Sequence, residues 1–366
     1  MIYRIVGMNL SGGARRYCYI LNSELYKKNE PIKTFIPKSP IEDKYSDAET
    51  VPFDYVNTNN WLSVGKEIYK NRKKISYVHL HLPNVSIRFF WFLKLLNIPY
   101  FLTIHSPLYN EKGFKTKVYR WMYKLSILMA KDVIFISEFV RKNVQNGLGI
   151  KQKNMGNIVY NGSEDPYHSE VDQDYILKRN DNNFFRICIV GELTERKGLL
   201  DLEKILLILL ENKSKIKREI IFNIYGEGVL EKYIQGLKDR YRESIVVNIN
   251  GYVSDLSHIY KNNDLHIILS KDEAFGRVIT EAMAFYMPTV CYDKGAFPEI
   301  IDDNINGVLS NSEENLALSI IYLENNFSVY RAMCLRAREK FLSKYESSIF
   351  VRNTLNVIDE ALKNEV

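Results

Sequence analysis

The chain has 366 residues, of which 46% are hydrophobic and 26% charged, so it is too long for one ordinary domain and predicts two. Its 50 basic and 44 acidic residues leave a net charge of only +6, which excludes a polycationic nucleic-acid tail and an acidic disordered chain. The four cysteines, at positions 18, 188, 291 and 334, share no CxxC spacing, which excludes a zinc knuckle and a dense disulfide framework. We therefore expect two globular domains in a reducing compartment, with no nucleic-acid partner.

The charge is divided unevenly along the chain. Residues 1–170 contain 25 Lys and Arg against 14 Asp and Glu, a charge of +11, whereas the remainder carries −5. This asymmetry indicates that the first half meets an anionic surface, substrate or membrane. An uneven scatter of solvated lysines is the alternative.

We expect no secretion signal, because residues 1–7 lead directly into a short apolar run without a basic region before it. The most apolar stretch, 89–102, is interrupted by Lys94, Asn97 and Pro99 and falls short of the roughly 20 residues that a spanning helix needs. We expect a cytoplasmic protein, either soluble or peripheral on the inner face of the plasma membrane.

Short apolar runs of strand length, each followed by a segment with helical spacing, recur along the first half. These predicted strands cover residues 2–6, 75–80, 100–104, 133–136 and 158–160. A second series covers residues 185–190, 220–225, 245–249, 265–269, 289–292 and 308–309, and the pattern is helical from there to the end. Strands that alternate with helices predict two doubly wound parallel sheets, separated by the polar stretch 161–183.

Glycine-rich turns follow several of these strands. Gly12 and Gly13 lie between the first strand and a helix, where backbone N–H groups can approach a phosphate; an ordinary strand-to-helix turn is the alternative. In the second half, Arg196 and Lys197 follow a strand that ends near Val190, so they lie at the carboxyl edge of the sheet, where α/β proteins bind ligands. Lys197 is thus a candidate for neutralising a diphosphate, and a solvated helix start is the alternative.

The most specific stretch is 270–284. Glu273 lies in a loop before a helix that starts near Gly276, and Glu281 lies on that helix eight residues later. Glu273 and the N–H groups that follow it can face the ligand edge of the sheet. A carboxylate at position 281, followed by three apolar residues, costs free energy if it is buried alone, which favours a role in binding hydroxyl groups such as those of a sugar.

These motifs together resemble the family 4 retaining glycosyltransferases of the GT-B fold. Beyond the Glu-x7-Glu pair, Glu273 and Glu281, the resemblance follows an ordered series of segments along nearly the whole chain. Those segments are 137–141, 159–162, 191–198, 225–228, 282–284, 287–290, 297–301 and 306–307. The resemblance implies an α/β protein of two Rossmann-like doubly wound domains that face each other across a cleft.

The resemblance also implies the domain boundaries. Residues 1–165 would form the acceptor domain, 166–183 a linker and 184–344 the nucleotide-sugar domain. A final helix in 345–366 would pack back onto the first domain.

The resemblance implies catalytic roles for Glu273, His105 and Lys197. The donor site that it implies comprises Gly12, Gly13, Arg196, Lys197, Gly226, Tyr252, Val253, Glu273, Ala274, Phe275, Gly276 and Glu281. Here Glu281 would hold the ribose hydroxyls, Glu273 the hydroxyls of the transferred sugar and Lys197 the diphosphate.

His105 and Ser106 would line the acceptor side of the site. The sequence departs from the family pattern at Glu192, where relatives often carry Arg. Diphosphate binding would then depend more on Lys197 and Arg196.

Two sequence features bear on metal dependence. His79 and His81 have a spacing that could suit a metal, but no carboxylate or cysteine cluster completes a site. Asp172 and Asp174 form a DxD pattern within the polar stretch rather than after an apolar strand. We expect no essential metal and no cofactor besides the nucleotide-sugar co-substrate, because Lys197, glycine-rich N–H groups and helix dipoles would stabilise the leaving diphosphate.

The basic excess of the first half is concentrated in residues 112–131. This segment combines six Lys and Arg with Trp121 and other apolar residues, a pattern typical of a basic amphipathic helix. Most such apolar faces pack onto a core, and the alternative is contact with an anionic membrane or a lipid-linked acceptor.

The resemblance thus implies an enzyme that moves a hexosyl or N-acetylhexosaminyl group, with retention, from a nucleoside-diphosphate sugar such as a UDP-sugar. The acceptor would be a glycan or a lipid-linked glycan in the synthesis of a surface polysaccharide, lipopolysaccharide or capsule. Front-face attack and a covalent intermediate remain open as routes to retention. The alternatives are a phosphorolytic enzyme of the same fold and a catalytically silent glycan-binding or partner subunit of a polysaccharide assembly.

Overall fold

The computed structural model of the chain describes residues 1–6, 13–36, 54–57, 60–108, 113–151, 156–167 and 183–363. The chain forms two compact units, one of Met1–Gly162 with Ser347–Val366 and one of Ser163–Glu346. Each unit is built on a parallel sheet with helices between its strands, which confirms the doubly wound architecture expected from the sequence.

The first unit contains a seven-stranded sheet with the order β3-β2-β1-β4-β5-β6-β7. Its strands are β1 (Ile2–Val6), β2 (Ile32–Ile36), β3 (Asp54–Asn57), β4 (Tyr77–His81), β5 (Tyr100–Ile104), β6 (Asp132–Phe135) and β7 (Asn157–Ile158). The helices are α1 (Gly13–Lys27), α2 (Trp61–Asn71), α3 (Pro83–Leu95), α4 (Phe114–Leu128) and α5 (Glu138–Leu148). Because all pairings are parallel, the carboxyl ends of β1, β4 and β5 lie side by side at one edge.

The sequence pattern missed β2 and β3. Both are short, and polar residues interrupt their apolar character: Lys33 and Thr34 in β2, and Asp54 and Asn57 in β3. The two strands lie on the outer side of β1, with β3 at the edge of the sheet. The edge strand β3 does not require a continuous apolar run, and three of the five residues of β2 are only partly buried, so the signal used for the central strands is absent from both.

Local sequence signals set several helix ends. The hydroxyl of Ser137 caps α5 by accepting a hydrogen bond from the N–H of Val140 at 3.1 Å, and Gly149 ends the helix in the left-handed region at φ 58°. Pro83 is the first residue of α3, where its missing N–H costs no helical hydrogen bond.

The C-terminal helix α13 (Ser347–Lys363) belongs to the first unit. Phe350, Val351 and Ile358 join α1 residues in the core of this unit. Gly162 allows the close approach, because a Cβ at that position would lie 2.6 Å from the Cβ of Phe350.

The second unit contains a six-stranded parallel sheet with the order β10-β9-β8-β11-β12-β13. Its strands are β8 (Phe184–Val190), β9 (Glu219–Tyr225), β10 (Val246–Ile249), β11 (Leu265–Ile268), β12 (Thr289–Tyr292) and β13 (Gly307–Ser310). The helices are α6 (Leu202–Glu211), α7 (Glu231–Tyr241), α8 (Leu256–Lys261), α9 (Arg277–Ala284), α10 (Phe297–Ile300), α11 (Glu313–Asn325) and α12 (Phe327–Lys340). A π-helical turn, Phe341–Tyr345, follows α12.

The second unit begins at Ser163, so Asp165 lies in it rather than in the first domain to which the sequence assigned it. The carboxylate of Asp165 forms a salt bridge of 2.7 Å with the buried guanidinium of Arg338 on α12. Residues 168–182, most of the segment predicted as a linker, lie outside the described residues. In the described part of the chain, none of the helices has the length and apolar character needed to cross a bilayer.

Candidate functional site

Three glycine-containing loops meet at the carboxyl ends of β8, β9 and β10. The N–H of Gly191 donates to the carbonyl of Tyr225 at 3.0 Å, and the N–H of Gly226 donates to the carbonyl of Gly251 at 2.7 Å. Gly226 has a φ of 137°, and a Cβ there would lie 1.9 Å from the carbonyl oxygen of Gly191. Only glycine fits that position, so the predicted donor-site residue Gly226 is required to bring these loops together.

Lys197 and Glu273 form the centre of the candidate donor site. The ammonium of Lys197 is hydrogen-bonded to Oε1 of Glu273, which also lies 3.7 Å from the Arg196 guanidinium and accepts from the Ser270 hydroxyl at 3.4 Å. Lys197 and Glu273 are 76 positions apart in sequence and both are mostly buried. The fold thus brings together three residues that the sequence singled out separately: Lys197, Arg196 and Glu273.

Backbone contacts on two sides hold this pair in place. Gly198, at φ 72°, comes so close to the end of β11 that a Cβ would lie 1.9 Å from the carbonyl oxygen of Leu269. The carbonyl of Glu273 accepts a hydrogen bond from the N–H of Ala296 at 3.1 Å. Gly295 lies against the backbone of Glu273, where a Cβ would approach its nitrogen to 2.9 Å. The carboxylate therefore lies on a loop whose backbone is fixed by the loop that follows β12.

The segment after Glu273 leads into α9. Ala274 is partly exposed, whereas the Phe275 side chain is buried and its ring lies 6.1 Å from that of Tyr345 in an edge-on contact. Gly276 precedes α9 at φ 90°, and a Cβ there would lie 2.8 Å from the Phe297 ring. The predicted contact of the Phe275 and Gly276 backbone with the donor stays a prediction.

Glu281 is paired with a residue that the sequence analysis did not single out. Its Oε1 accepts from the Arg277 guanidinium at 2.9 Å, one turn earlier on α9, and both side chains are mostly buried. The expected burial of this carboxylate is therefore accompanied by a charge partner. The predicted role in binding ribose hydroxyls stays a prediction.

The remaining predicted donor residues lie in other segments of the chain. Tyr252 and Val253 lie in the loop after β10, where Tyr252 is exposed and Val253 partly exposed. Gly13 is the first residue of α1, and Gly12 lies outside the described residues.

A second polar network, not recognised in the sequence, lies beside the Glu273 loop. The hydroxyl of Tyr292, at the end of β12, donates to Asp201 at 2.8 Å, and the ammonium of Lys271 lies 2.6 Å from the same carboxylate. Lys271 also lies 3.6 Å from Glu313. The hydrogen bond to Asp201 raises the pKa of Lys271. Lys271 thus ties the loop of Glu273 to the starts of α6 and α11.

In the first unit, His105 follows directly after β5 and is partly exposed, as is Ser106. Nε2 of His105 lies 3.0 Å from Nδ1 of the buried His81. The ring of Tyr17 packs edge-on against both imidazoles, with centroids 5.4 Å from His81 and 4.9 Å from His105. The predicted acceptor-side histidine is therefore oriented by a neighbouring histidine and an aromatic ring.

Loss of solvation disfavours the protonated form of these histidines. Loss of solvation lowers the pKa of His105 to about 3 and lowers that of His81 well below its usual value. The pKa of His79 is lowered for the same reason, with a contribution from the charge of Arg4, whose guanidinium is fully buried. Among the residues that the structure describes, none accepts a hydrogen bond from the Arg4 guanidinium. A buried cation next to imidazoles disfavours their protonation.

The histidines considered as metal ligands have other partners. Nε2 of His79 lies 2.7 Å from the Thr103 hydroxyl, and Nδ1 of His81 is bonded to His105. Within the described ranges, no group of three His, Cys, Asp or Glu side chains is arranged to hold a metal ion. Asp172 and Asp174 lie outside those ranges.

Two doubly wound units, with a lysine–glutamate pair at the ligand edge of one of them, agree with the expected class, a two-domain glycosyltransferase of the GT-B fold. Residues 174–340 match the family model described as glycosyl transferases group 1, and residues 11–163 match the model described as glycosyltransferase family 4. The two matches lie on the second and the first unit respectively. The chain belongs to this glycosyltransferase family.

Relatives and solved structures agree with this assignment. An uncharacterized glycosyltransferase of Methanocaldococcus jannaschii is 24% identical over 93% of this chain and 89% of its own. A capsular polysaccharide biosynthesis glycosyltransferase of Staphylococcus aureus is 22% identical over 69% of this chain and 67% of its own. The structure of Anabaena HepE in complex with UDP superimposes with a TM-score of 0.81 at 15% identity, covering 98% of this chain and 99% of HepE. HepE has also been solved in complex with UDP-glucose, which superimposes with a TM-score of 0.74 at 16% identity and covers 98% of this chain and all of that one.

Proposed function

We propose that this glycosyltransferase moves a hexosyl or N-acetylhexosaminyl group from a UDP-sugar to a glycan or lipid-linked acceptor during synthesis of a surface polysaccharide. The donor binds to the second unit and the acceptor to the His105 side of the first. The choice of UDP is supported by the UDP and UDP-glucose complexes of HepE, and the polysaccharide product by the capsule-building relative.

The observation that carries the proposal is the ion pair between Lys197 and Glu273. A diphosphate competes with the Glu273 carboxylate for the Lys197 ammonium. It carries a larger negative charge than the carboxylate, and its charged oxygens accept strong hydrogen bonds from an ammonium group. Once Lys197 turns to the diphosphate, the Glu273 carboxylate is released to accept hydrogen bonds from the sugar hydroxyls. Donor binding therefore exchanges one internal ion pair for two contacts with the substrate.

The proposed reaction proceeds with retention at the anomeric carbon and without a metal. Lys197, Arg196 and backbone N–H groups of the glycine loops stabilise the negative charge that develops on the leaving UDP. We propose attack on the front face, guided by the leaving phosphate, because the released Glu273 carboxylate is then engaged by the sugar hydroxyls and does not serve as the nucleophile. Activity in excess EDTA tests the absence of an essential metal, and its loss would contradict this part of the proposal.

The alternative is a catalytically silent glycan-binding or partner subunit. A silent subunit has no need for an acid and a base held together at the ligand edge, so the Lys197–Glu273 pair favours an enzyme. Turnover distinguishes the two, because a silent subunit hydrolyses or transfers no UDP-sugar.

The exchange of ion pairs predicts opposite effects of two substitutions. Glu273→Gln frees Lys197, so UDP binds at least as tightly as to the wild type, while turnover of the UDP-sugar falls by roughly 100-fold. Lys197→Ala removes a charged partner of the phosphates, so UDP binds about 10-fold to 100-fold more weakly. Calorimetric titration with UDP and hydrolysis of UDP-glucose or UDP-N-acetylglucosamine measure the two effects.

Glu211→Gln on the exposed face of α6 provides the matched control, because it removes a carboxylate charge away from the site. It is expected to bind UDP and to turn over the sugar like the wild type. Full turnover by Glu273→Gln, or no binding of UDP to the wild type, would show that the donor assignment is wrong.

A further inference from the structure

The helix α4 carries an apolar stripe on the side that faces solvent. It buries Tyr123, Ser126 and Ile127 toward the unit. At about 100° per residue, the opposite side of the helix carries a different set of apolar residues. That set is Val118, Trp121, Leu125 and Leu128. Trp121 is 59% exposed and Val118 is 42% exposed, so this stripe is not the core-facing side of the helix.

The neighbouring helix α3 has the same arrangement. Its buried residues include Phe89, Phe90 and Leu93, whereas Trp91 is 51% exposed and Leu95 is 82% exposed. The hydroxyl of Ser126 on α4 donates to that of Ser86 on α3 at 3.0 Å, so the two helices are packed against each other. We call the outward residues Trp91, Leu95, Val118, Trp121, Leu125 and Leu128 the α3–α4 outer face.

The segment that carries the α3–α4 outer face is strongly basic. Residues 83–131 contain eight Lys and Arg and only one acid, Glu111. In the parts of this segment that the structure describes, 83–108 and 113–131, acidic residues are absent. Lys94 on α3 and Lys115 and Lys117 on α4 are exposed, and on α4 the two lysines lie on either side of the apolar stripe. The surface is therefore apolar at its centre and cationic at its margins.

The apolar centre and cationic margins of the α3–α4 outer face limit which partner can bind to it. A second copy of the chain would place two surfaces of the same positive charge face to face in a symmetric contact, which is unfavourable. An anionic bilayer satisfies both features, since lysines attract the headgroups while tryptophan and leucine side chains enter the boundary between headgroups and acyl chains.

We propose that the α3–α4 outer face binds the surface of an anionic phospholipid membrane, with α3 and α4 lying in the interface. Trp91 and Trp121 enter the headgroup layer, and Lys94, Lys115 and Lys117 contact the phosphates. The proposal is independent of sugar transfer, because membrane binding is measured without any donor or acceptor.

Vesicle flotation of the full-length protein tests the proposal. The wild type is mixed with vesicles of pure phosphatidylcholine or of phosphatidylcholine with about 30% phosphatidylglycerol. We expect it to float with the anionic vesicles at low salt and to dissociate as salt screens the lysines. Lys94→Glu/Lys115→Glu/Lys117→Glu and Trp91→Ser/Trp121→Ser are each expected to bind at least about 10-fold more weakly.

Matched control variants carry the same changes on exposed positions of the second unit. They are Lys213→Glu/Lys215→Glu/Lys232→Glu and Leu207→Ser/Leu318→Ser, and both are expected to float like the wild type. The thermal unfolding midpoint of every variant is measured alongside. If the Trp91→Ser/Trp121→Ser variant does not fold, the single variant Trp121→Ser replaces it in the flotation test.

Three results would overturn the proposal. The first is a wild type that stays unbound with anionic vesicles at low salt. The second is a tryptophan variant that floats as well as the wild type, because binding would then depend on charge alone and not on this apolar face. The third is a wild-type dimer in light scattering that the tryptophan substitutions convert to a monomer, because the face would then be occupied by a second copy.

Discussion

His81 acts on the candidate site indirectly, through its hydrogen bond to His105. Both His81 and His105 are neutral because burial lowers their pKa values, so one ring donates and the other accepts in the hydrogen bond of 3.0 Å between them. This bond engages Nε2 of His105 and leaves Nδ1 as the ring nitrogen for an acceptor hydroxyl. His81 is a positioning residue for His105 in this interpretation.

The positioning role predicts the behaviour of two substitutions at His81. His81→Phe keeps the ring volume but removes the hydrogen bond, so kcat is expected to fall roughly 10-fold with little change in UDP affinity. His81→Gln retains a hydrogen-bonding group and is expected to recover part of the rate. Turnover of a UDP-sugar gives the rates, and ¹⁵N chemical shifts of the histidine rings report the tautomer of His105. An unchanged rate and tautomer in a folded His81→Phe variant would contradict the role.

At the scale of elements, the donor site depends on how closely loops approach one another. Gly226 and Gly236 make a matched pair to test this, since both lie in the second unit between β9 and β10. A Cβ on Gly226 would collide with the backbone of Gly191, whereas one on Gly236, exposed on α7, meets nothing within 4 Å.

Gly226→Ala is expected to lower the free energy of unfolding by about 3 kcal/mol or more, because the clash is with backbone at a φ of 137°. Gly236→Ala is expected to raise it by about 0.5–1 kcal/mol, because alanine favours the helix. Urea unfolding measures both, and UDP titration shows whether Gly226→Ala also weakens the site. Equal stabilities of the two variants would show that the loop contact is not needed.

The sequence predicted the elements better than the contacts between them. The central strands follow from apolar runs, and the parallel arrangement places Lys197 and Glu273 at the same edge of the sheet. The pairing of Lys197 with Glu273, the Arg277 partner of Glu281 and the Lys271 network were not predicted. These depend on loop paths and side-chain directions, which periodicity does not specify. The apolar pattern of α4 likewise could not show that its Trp121 stripe faces solvent, because an amphipathic pattern is the same for either orientation.

At the scale of the whole molecule, the charge division seen in the sequence has a structural location. The positive excess of the first half includes the cations of α3 and α4, which surround an exposed apolar face of the first unit. The second unit contains the candidate diphosphate site, yet the second half of the chain is slightly acidic. Under the proposed function, phosphate binding depends on a few placed groups, Lys197 and Arg196 with the glycine loops, and not on overall charge.

Buried neutral histidines in both units make stability depend on pH. Burial lowers the pKa values of His79 and His81 in the first unit, and it lowers that of His266 in the second unit to about 3. In the unfolded chain a histidine titrates near 6.5, so below that pH the unfolded state binds protons that the folded state does not. The free energy of unfolding is therefore highest above about pH 6.5, and it falls as the pH is lowered from there toward 3.

For the fully buried His266 this protonation of the unfolded chain is expected to cost about 2 kcal/mol of stability at pH 5 relative to pH 8. His266, whose Nδ1 lies 3.0 Å from the Thr289 hydroxyl, gives the cleanest test because it is the only described buried histidine of its unit. In His266→Gln the loss of stability between pH 8 and pH 5 is expected to be smaller by about 2 kcal/mol, measured by urea unfolding. His258→Gln, at an exposed position of α8, should leave the pH dependence unchanged. The interval from pH 5 to pH 8 lies above the usual titration range of carboxylates. If His266→Gln and the wild type lose the same stability over this interval, His266 is protonated in the folded state.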